Sequence, residues 1–219
     1  MDEALVRFNV AVERYAKCSS ELHDALNDPI SNPWAAGKLW ALHSDVAAGC
    51  WQFADAYEAI VYAPDEEPLS PRSVYGRTEH QRLVVATKAL IFFVRGYQDG
   101  LAGAAKVVTD GVWGTYPSMA RELDRNELIR ELVHPDTELI EYRDWFEEWR
   151  DVRNMLKLGM GQVTRSVPGK RARIEFWTVG RDGHAGRLLH SVGMAEIRKA
   201  LWLSGTLSRS IARRVLKPA

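Results

Sequence analysis

The sequence predicts a mainly α-helical protein: a bundle of four to five long helices with a small antiparallel β-hairpin or meander inserted before the last helix. Three observations predict it. Apolar residues recur at steps of three and four through most of the chain, the period that gives a helix one buried face. Asn, Asp, Thr, Pro and Gly punctuate those stretches where helices start and stop. A single segment, residues 162–190, switches to a two-residue period between turn dipeptides.

Residues 3–27 set Leu5, Phe8, Val12, Tyr15, Leu22 and Leu26 on one helical face, and Asp28-Pro29 ends the run. Asn32-Pro33 restarts it, with Asn as the cap and Pro at the first helical position, where its missing N–H is not needed. Leu39, Leu42, Val46, Cys50, Phe53, Tyr57 and Ile60 then follow one face. Three prolines, three acids and two serines between Pro64 and Tyr75 predict an exposed loop. Thr78 and Gln81 have capping-box spacing and open a third helix carrying the apolar run Leu83–Val94. Gly96, Gly100 and Gly103 weaken its later turns by roughly 1 kcal/mol each relative to Ala, leaving its end open.

Residues 110–136 read as a loop with short helical turns near 118–123 and 126–133. Asp136-Thr137 then opens a fourth long helix, with Glu138 and Glu141 at the positive end of its dipole, running to Leu158 before Gly159 and Gly161. In the β segment Ile174, Phe176 and Thr178 alternate with Arg173, Glu175 and Trp177, flanked by Pro168-Gly169 and Asp182-Gly183. The last helix spans about Met194 to Leu216.

A length of 219 residues with 46% hydrophobic and 26% charged side chains fits one globular domain over 1–219, with 162–190 as an insertion within it. Lys plus Arg and Asp plus Glu both total 29, so no global field draws the chain to nucleic acid or an anionic membrane, and such binding must be local. The opening MDEALVRF is unlike a secretion signal, and the apolar run is too short to span a bilayer, so a cytoplasmic protein with no membrane association is expected. Cys18 and Cys50 lack metal-ligand spacing and read as buried thiols.

The segment Tyr142–Gly161 is the most distinctive. Arg150, Arg153, Asn154 and Lys157 are separated by three, four and seven, which stacks them on one face near the C-terminal end of a helix. Arginine and lysine there can grip phosphate while Asn154 supplies a directional hydrogen bond. Cations at a helix C-terminus also stabilise the dipole by roughly 0.3–1 kcal/mol each without any ligand. Arg153 sharpens the choice, because it falls in the series Leu139, Tyr142, Phe146, Trp149, Leu156 that points inward. An unpaired buried charge is costly, so an acid from another helix, a second subunit or a bound anion should face it.

The run Tyr142, Trp145, Arg150, Arg153-Asn154, Lys157 and Gly159 resembles the C-terminal helix of HEPN domains, helical bundles of which many are dimeric, metal-independent ribonucleases. Their motif often reads Arg-Asn-x-x-Lys-His-Gly, and here Leu158 stands where that histidine would be. RNA cleavage at such a site needs a group of near-neutral pKa to move a proton, and leucine has none. The resemblance therefore implies a catalytically degenerate module that forms a homodimer and binds RNA, a nucleotide or a protein partner through the Arg150, Arg153, Asn154, Lys157 face. An active ribonuclease of toxin or phage-defence type and a helical scaffold without a ligand are the alternatives.

Other candidates are plainer. His43 with Asp45, and Glu79 with His80, lack the helical spacing of a metal site or an acid/base pair, so no metal ligand, cofactor or catalytic residue is expected. Core packing is the default for the eight tryptophans. Arg165, Lys170, Arg171 and Arg173 form a basic cluster that either tracks phosphate or blocks strand pairing. No phosphate-cradling glycine loop, dinucleotide fingerprint, nucleophile elbow or zinc motif is present.

Overall fold

In a computed structural model, the structure describes residues 2–28, 30, 32–61, 78–157, 162–164, 173–179 and 185–216, giving the backbone alone for 78–81, 162–164, 173–179 and 185–189. Five long helices, α1 (Glu3–Asn27), α2 (Pro33–Val61), α3 (Thr78–Asp110), α6 (Tyr142–Lys157) and α7 (Met194–Leu216), make up the bundle. Two short helices, α4 (Met119–Arg125) and α5 (Glu127–Leu132), occupy the connection after α3. Strands β1 (Gln162–Thr164), β2 (Arg173–Val179) and β3 (Ala185–Gly193) form an antiparallel meander in the order β1-β2-β3, and β3 runs directly into α7. Its register pairs Val163 with Ile174 and Ile174 with Val192. The helical bundle and the meander before the last helix are as the sequence predicts.

Local chemistry explains several boundaries. Asp2 accepts from the Ala4 N–H at 2.7 Å and Asn32 from the Ala35 N–H at 3.0 Å, so both helices start on an Asx cap. Helix α3 runs through its three glycines, two of which are points of close approach: a Cβ at Gly100 would come 2.5 Å from Leu42, and one at Gly103 2.5 Å from the Trp113 ring. The fourth long helix needs a correction, starting at Tyr142 rather than at Asp136-Thr137. The Thr137 hydroxyl donates to the carbonyls of Leu132 and His134, at 2.7 and 2.8 Å, and accepts from the Leu139 N–H, which holds a chain of turns. Asp144 supplies the acid of the helix's first turn, while Glu141 is drawn to Lys199 at 2.8 Å, which lowers its pKa. The Thr78 and Gln81 side chains, the loop between Pro64 and Tyr75, and Leu158, Gly159 and Gly161 lie outside the described residues.

Paired contacts fix the helix directions. Phe8 meets Phe53 and His23 meets Trp40, so α1 and α2 are antiparallel; Arg95 meets Phe146 and Phe92 meets Arg153, so α3 and α6 are antiparallel too. Helix α7 returns parallel to α1, with Arg14 against Thr206 and Glu21 against Arg209. Gly205 admits that approach, since its missing Cβ would lie 3.2 Å from Tyr15 Cα.

At the centre of the core, the Tyr97 hydroxyl sits between Ser19 Oγ and Ser208 Oγ, at 2.8 and 2.9 Å, joining α3 to α1 and α7. An aromatic column runs outward from it through Tyr15, His43, Trp40 and His23, each ring 5.1–5.3 Å from the next. Both cysteines are free and buried, and burial pushes the Cys50 thiol up to about 12, so neither presents a reactive thiolate. Among the described residues no helix is long and apolar enough to cross a membrane.

Candidate functional site

Helix α6 carries its apolar residues Tyr142, Trp145, Phe146, Trp149, Val152 and Leu156 on one buried face. The predicted site residues follow on the flank that borders α3. Arg153 is half-buried, with its guanidinium 5.9 Å from the centre of the Phe92 ring of α3. Its Nη1 donates to Asn154 Oδ1 at a long 3.4 Å, and its Nε is buried without a hydrogen-bond partner. Arg150 is partly exposed, with Asp151 3.9 Å away, and Asn154 and Lys157 are exposed. The structure thus brings the four predicted residues to one flank, and among the described residues no acid of another helix pairs with Arg153.

The seam beneath them was not anticipated from the sequence. Arg95 of α3 is 6% exposed, lies 4.5 Å from the centre of the Phe146 ring and pairs with Asp99 at 2.8 Å. Asp99 also accepts from the Met119 N–H at 2.9 Å, which ties the start of α4 to α3. Along the seam, Arg95 Nε, Tyr142 Oη, Trp149 Nε1 and Arg153 Nε are all buried and unpartnered. Three of these are N–H groups that can only donate, and the fourth is a phenol that burial holds well above its usual pKa and therefore protonated. Leaving such a donor without an acceptor costs roughly 1–3 kcal/mol. Among these four groups donors outnumber acceptors, and with Arg95 answered by Asp99 the unanswered charge is that of Arg153, which suits an acceptor-rich or anionic group at that end of the seam. The sequence did hold a signal for it: Phe92, Arg95 and Asp99 follow steps of three and four at the end of the apolar run Leu83–Val94 and just beyond it.

No histidine stands beside Arg153 among the described residues. His190 of β3 approaches Glu148 at 3.8 Å, but Glu148 precedes Arg153 by five residues and so lies about 140° around the helix from it. His43 is buried between Tyr15 and Trp40, away from any partner acid, while Asp45 is exposed. No cluster of His, Cys, Asp and Glu able to hold a metal occurs among the described residues. The Glu79 and His80 side chains and the basic residues Arg165, Lys170 and Arg171 lie outside those described, and Arg173 is described by backbone alone.

The tryptophans divide. Trp113, Trp145 and Trp149 pack in the core, as expected, whereas Trp34, Trp40, Trp51 and Trp202 are exposed, against the expectation of core packing. Amphipathic periodicity does not separate a core indole from one at the edge of a helix face. No family model matches the chain, and no curated protein or solved structure matches it.

Proposed function

We propose that this chain is a catalytically degenerate HEPN-like module that dimerises and binds RNA through the α6 flank of Arg150, Arg153, Asn154 and Lys157. One observation carries the reading: Arg153 is half-buried against Phe92 with an unpartnered Nε and, among the described residues, no carboxylate of another helix beside it. A guanidinium so placed lacks a counter-charge of its own, and a phosphate supplies one together with the missing acceptors. Asn154 beside it adds a group that both donates and accepts. Leu158 at the histidine position of the motif, and the separation of His190 from the flank, support binding without cleavage.

The test is fluorescence anisotropy with a labelled single-stranded RNA. Affinity should fall with salt at a log–log slope of about −2, the value for three neutralised phosphates on a single strand. Arg153→Ala should weaken binding by about tenfold or more, as expected for losing a charge-assisted hydrogen bond, and RNA incubated without added metal should stay intact. Cleavage that Arg153→Ala abolishes would establish the ribonuclease alternative. Binding that is absent or indifferent to salt would leave a structural stripe, in which case Arg153→Ala changes only the melting temperature. Sedimentation equilibrium checks the dimer.

A further inference from the structure

Phe92 stands apart from the other aromatic residues of the α3–α6 seam. Tyr142, Trp145, Phe146 and Trp149 are buried, whereas Phe92 is 39% exposed, so the Arg153 guanidinium 5.9 Å from its ring centre does not cover it. A single exposed ring on a helix is ordinary and by itself implies no ligand. The surroundings of this one are not ordinary. Lys88, half-buried, precedes Phe92 by four residues and so lies one turn away on the same side of α3. Because α3 and α6 run antiparallel with Phe92 opposite Arg153, Lys88 comes level with Lys157, one turn beyond Arg153. The ring is set among three cations from two helices, and among the described residues none of the three has a carboxylate partner.

The acids of the two helices are either taken or turned away. Asp99, seven residues after Phe92, holds Arg95 at 2.8 Å. Glu147 precedes Arg153 by six residues and Asp151 by two, which puts them about 120° and 160° around α6 from it. Resting on the RNA reading of this flank, we infer that Phe92 is a base-stacking residue: the bound strand lays an unpaired base on the exposed part of the ring while its phosphates sit on the cations beside it. Cations alone hold phosphates and ignore the bases, whereas an aromatic surface among them adds a contact that only an unstacked base can make. A duplex keeps its bases stacked on one another, so the site takes a single strand or an unpaired loop.

Fluorescence anisotropy of the full chain with two labelled oligomers of equal length, a single-stranded RNA and an abasic ribose-phosphate strand, separates base from phosphate. The wild-type protein should bind the RNA about tenfold more tightly than the abasic strand, as one stacked base gives, with the same salt slope for both. Phe92→Leu should bring the RNA down to the affinity of the abasic strand while leaving the abasic affinity and the salt slope unchanged. Phe92→Tyr, which keeps the ring, should retain the preference. The wild-type comparison needs no variant, so a leucine protein that fails to fold does not spare the inference. Equal wild-type binding of the two strands overturns it, and so does a folded Phe92→Leu protein that still prefers the RNA. In both of those outcomes, salt-dependent binding that Arg153→Ala weakens leaves the RNA reading standing; binding of neither strand overturns both.

Discussion

His43 is wedged between Tyr15 and Trp40, 8% exposed, with Nδ1 buried and unpartnered. Burial, and then the neighbouring His23, lower its pKa below the usual 6.5. The unfolded chain therefore takes up this proton first as pH falls. Stability from His43 is fully present above about pH 6.5 and is lost as pH drops from there through the lowered folded value. Thermal melts across that window should show the decline, and His43→Leu should flatten the part due to this residue. A wild-type profile that His43→Leu leaves unchanged would contradict it. The same scale decides Tyr97, whose hydroxyl bridges Ser19 and Ser208 inside the core. Tyr97→Phe keeps the ring but leaves those hydroxyls short of a partner, so urea unfolding should register a loss of about 1–2 kcal/mol.

At the scale of the helix, glycine has opposite meanings at position 37 of α2 and position 103 of α3. Gly37 is exposed inside α2 and a Cβ there would meet nothing within 4 Å, so Gly37→Ala should stabilise by roughly 0.5–1 kcal/mol. Gly103 faces the flat of Trp113, with ring atoms 2.5–2.8 Å from where a Cβ would sit. Gly103→Ala should cost about 1–3 kcal/mol despite the better helix propensity, because a buried indole cannot yield as a flexible chain end would. Urea titration of both variants checks the contrast. The number of long helices and the bounds of α1, α2 and α7 are legible because period and caps repeat over many residues. The end of α3 is not legible, since propensity counts each glycine as a loss, while the close approach of the Trp113 ring to Gly103 and of the Leu42 side chain to Gly100 comes from residues outside the helix. The start of α6 was misjudged because Asp136-Thr137 looks like a cap, and a threonine that hydrogen-bonds backward to Leu132 and His134 closes turns with the same chemistry. The site was half legible: periodicity stacks Arg150, Arg153, Asn154 and Lys157, but which helix lies beside them, and hence Phe92 and Arg95, depends on packing between elements far apart in sequence.

For the molecule as a whole, the governing relation is between its first and last helices. Arg14 to Thr206 and Glu21 to Arg209 join residues nearly 190 positions apart, and Tyr97 needs both α1 and α7 for its hydroxyl partners. A chain ending before Met194 would expose the face of α1 that holds Tyr15, Cys18 and Ser19, all buried in the full bundle. Such a truncation should lose far more ellipticity than the missing helix accounts for and should unfold without a sharp transition; a cooperative melt from it would show that helices α1 to α6 form a core unaided.

The approach of Gly205 to the Tyr15 backbone carries a consequence for how the protein is made. During synthesis α1 leaves the ribosome well before its neighbour α7, which lies more than 160 residues further along the chain. Throughout elongation the nascent chain must carry an apolar flank awaiting its match, a period in which chaperones and aggregation compete for it. Slow codons placed between α1 and α7 should lower the yield of native protein more than the same codons placed within α1, as soluble expression measures.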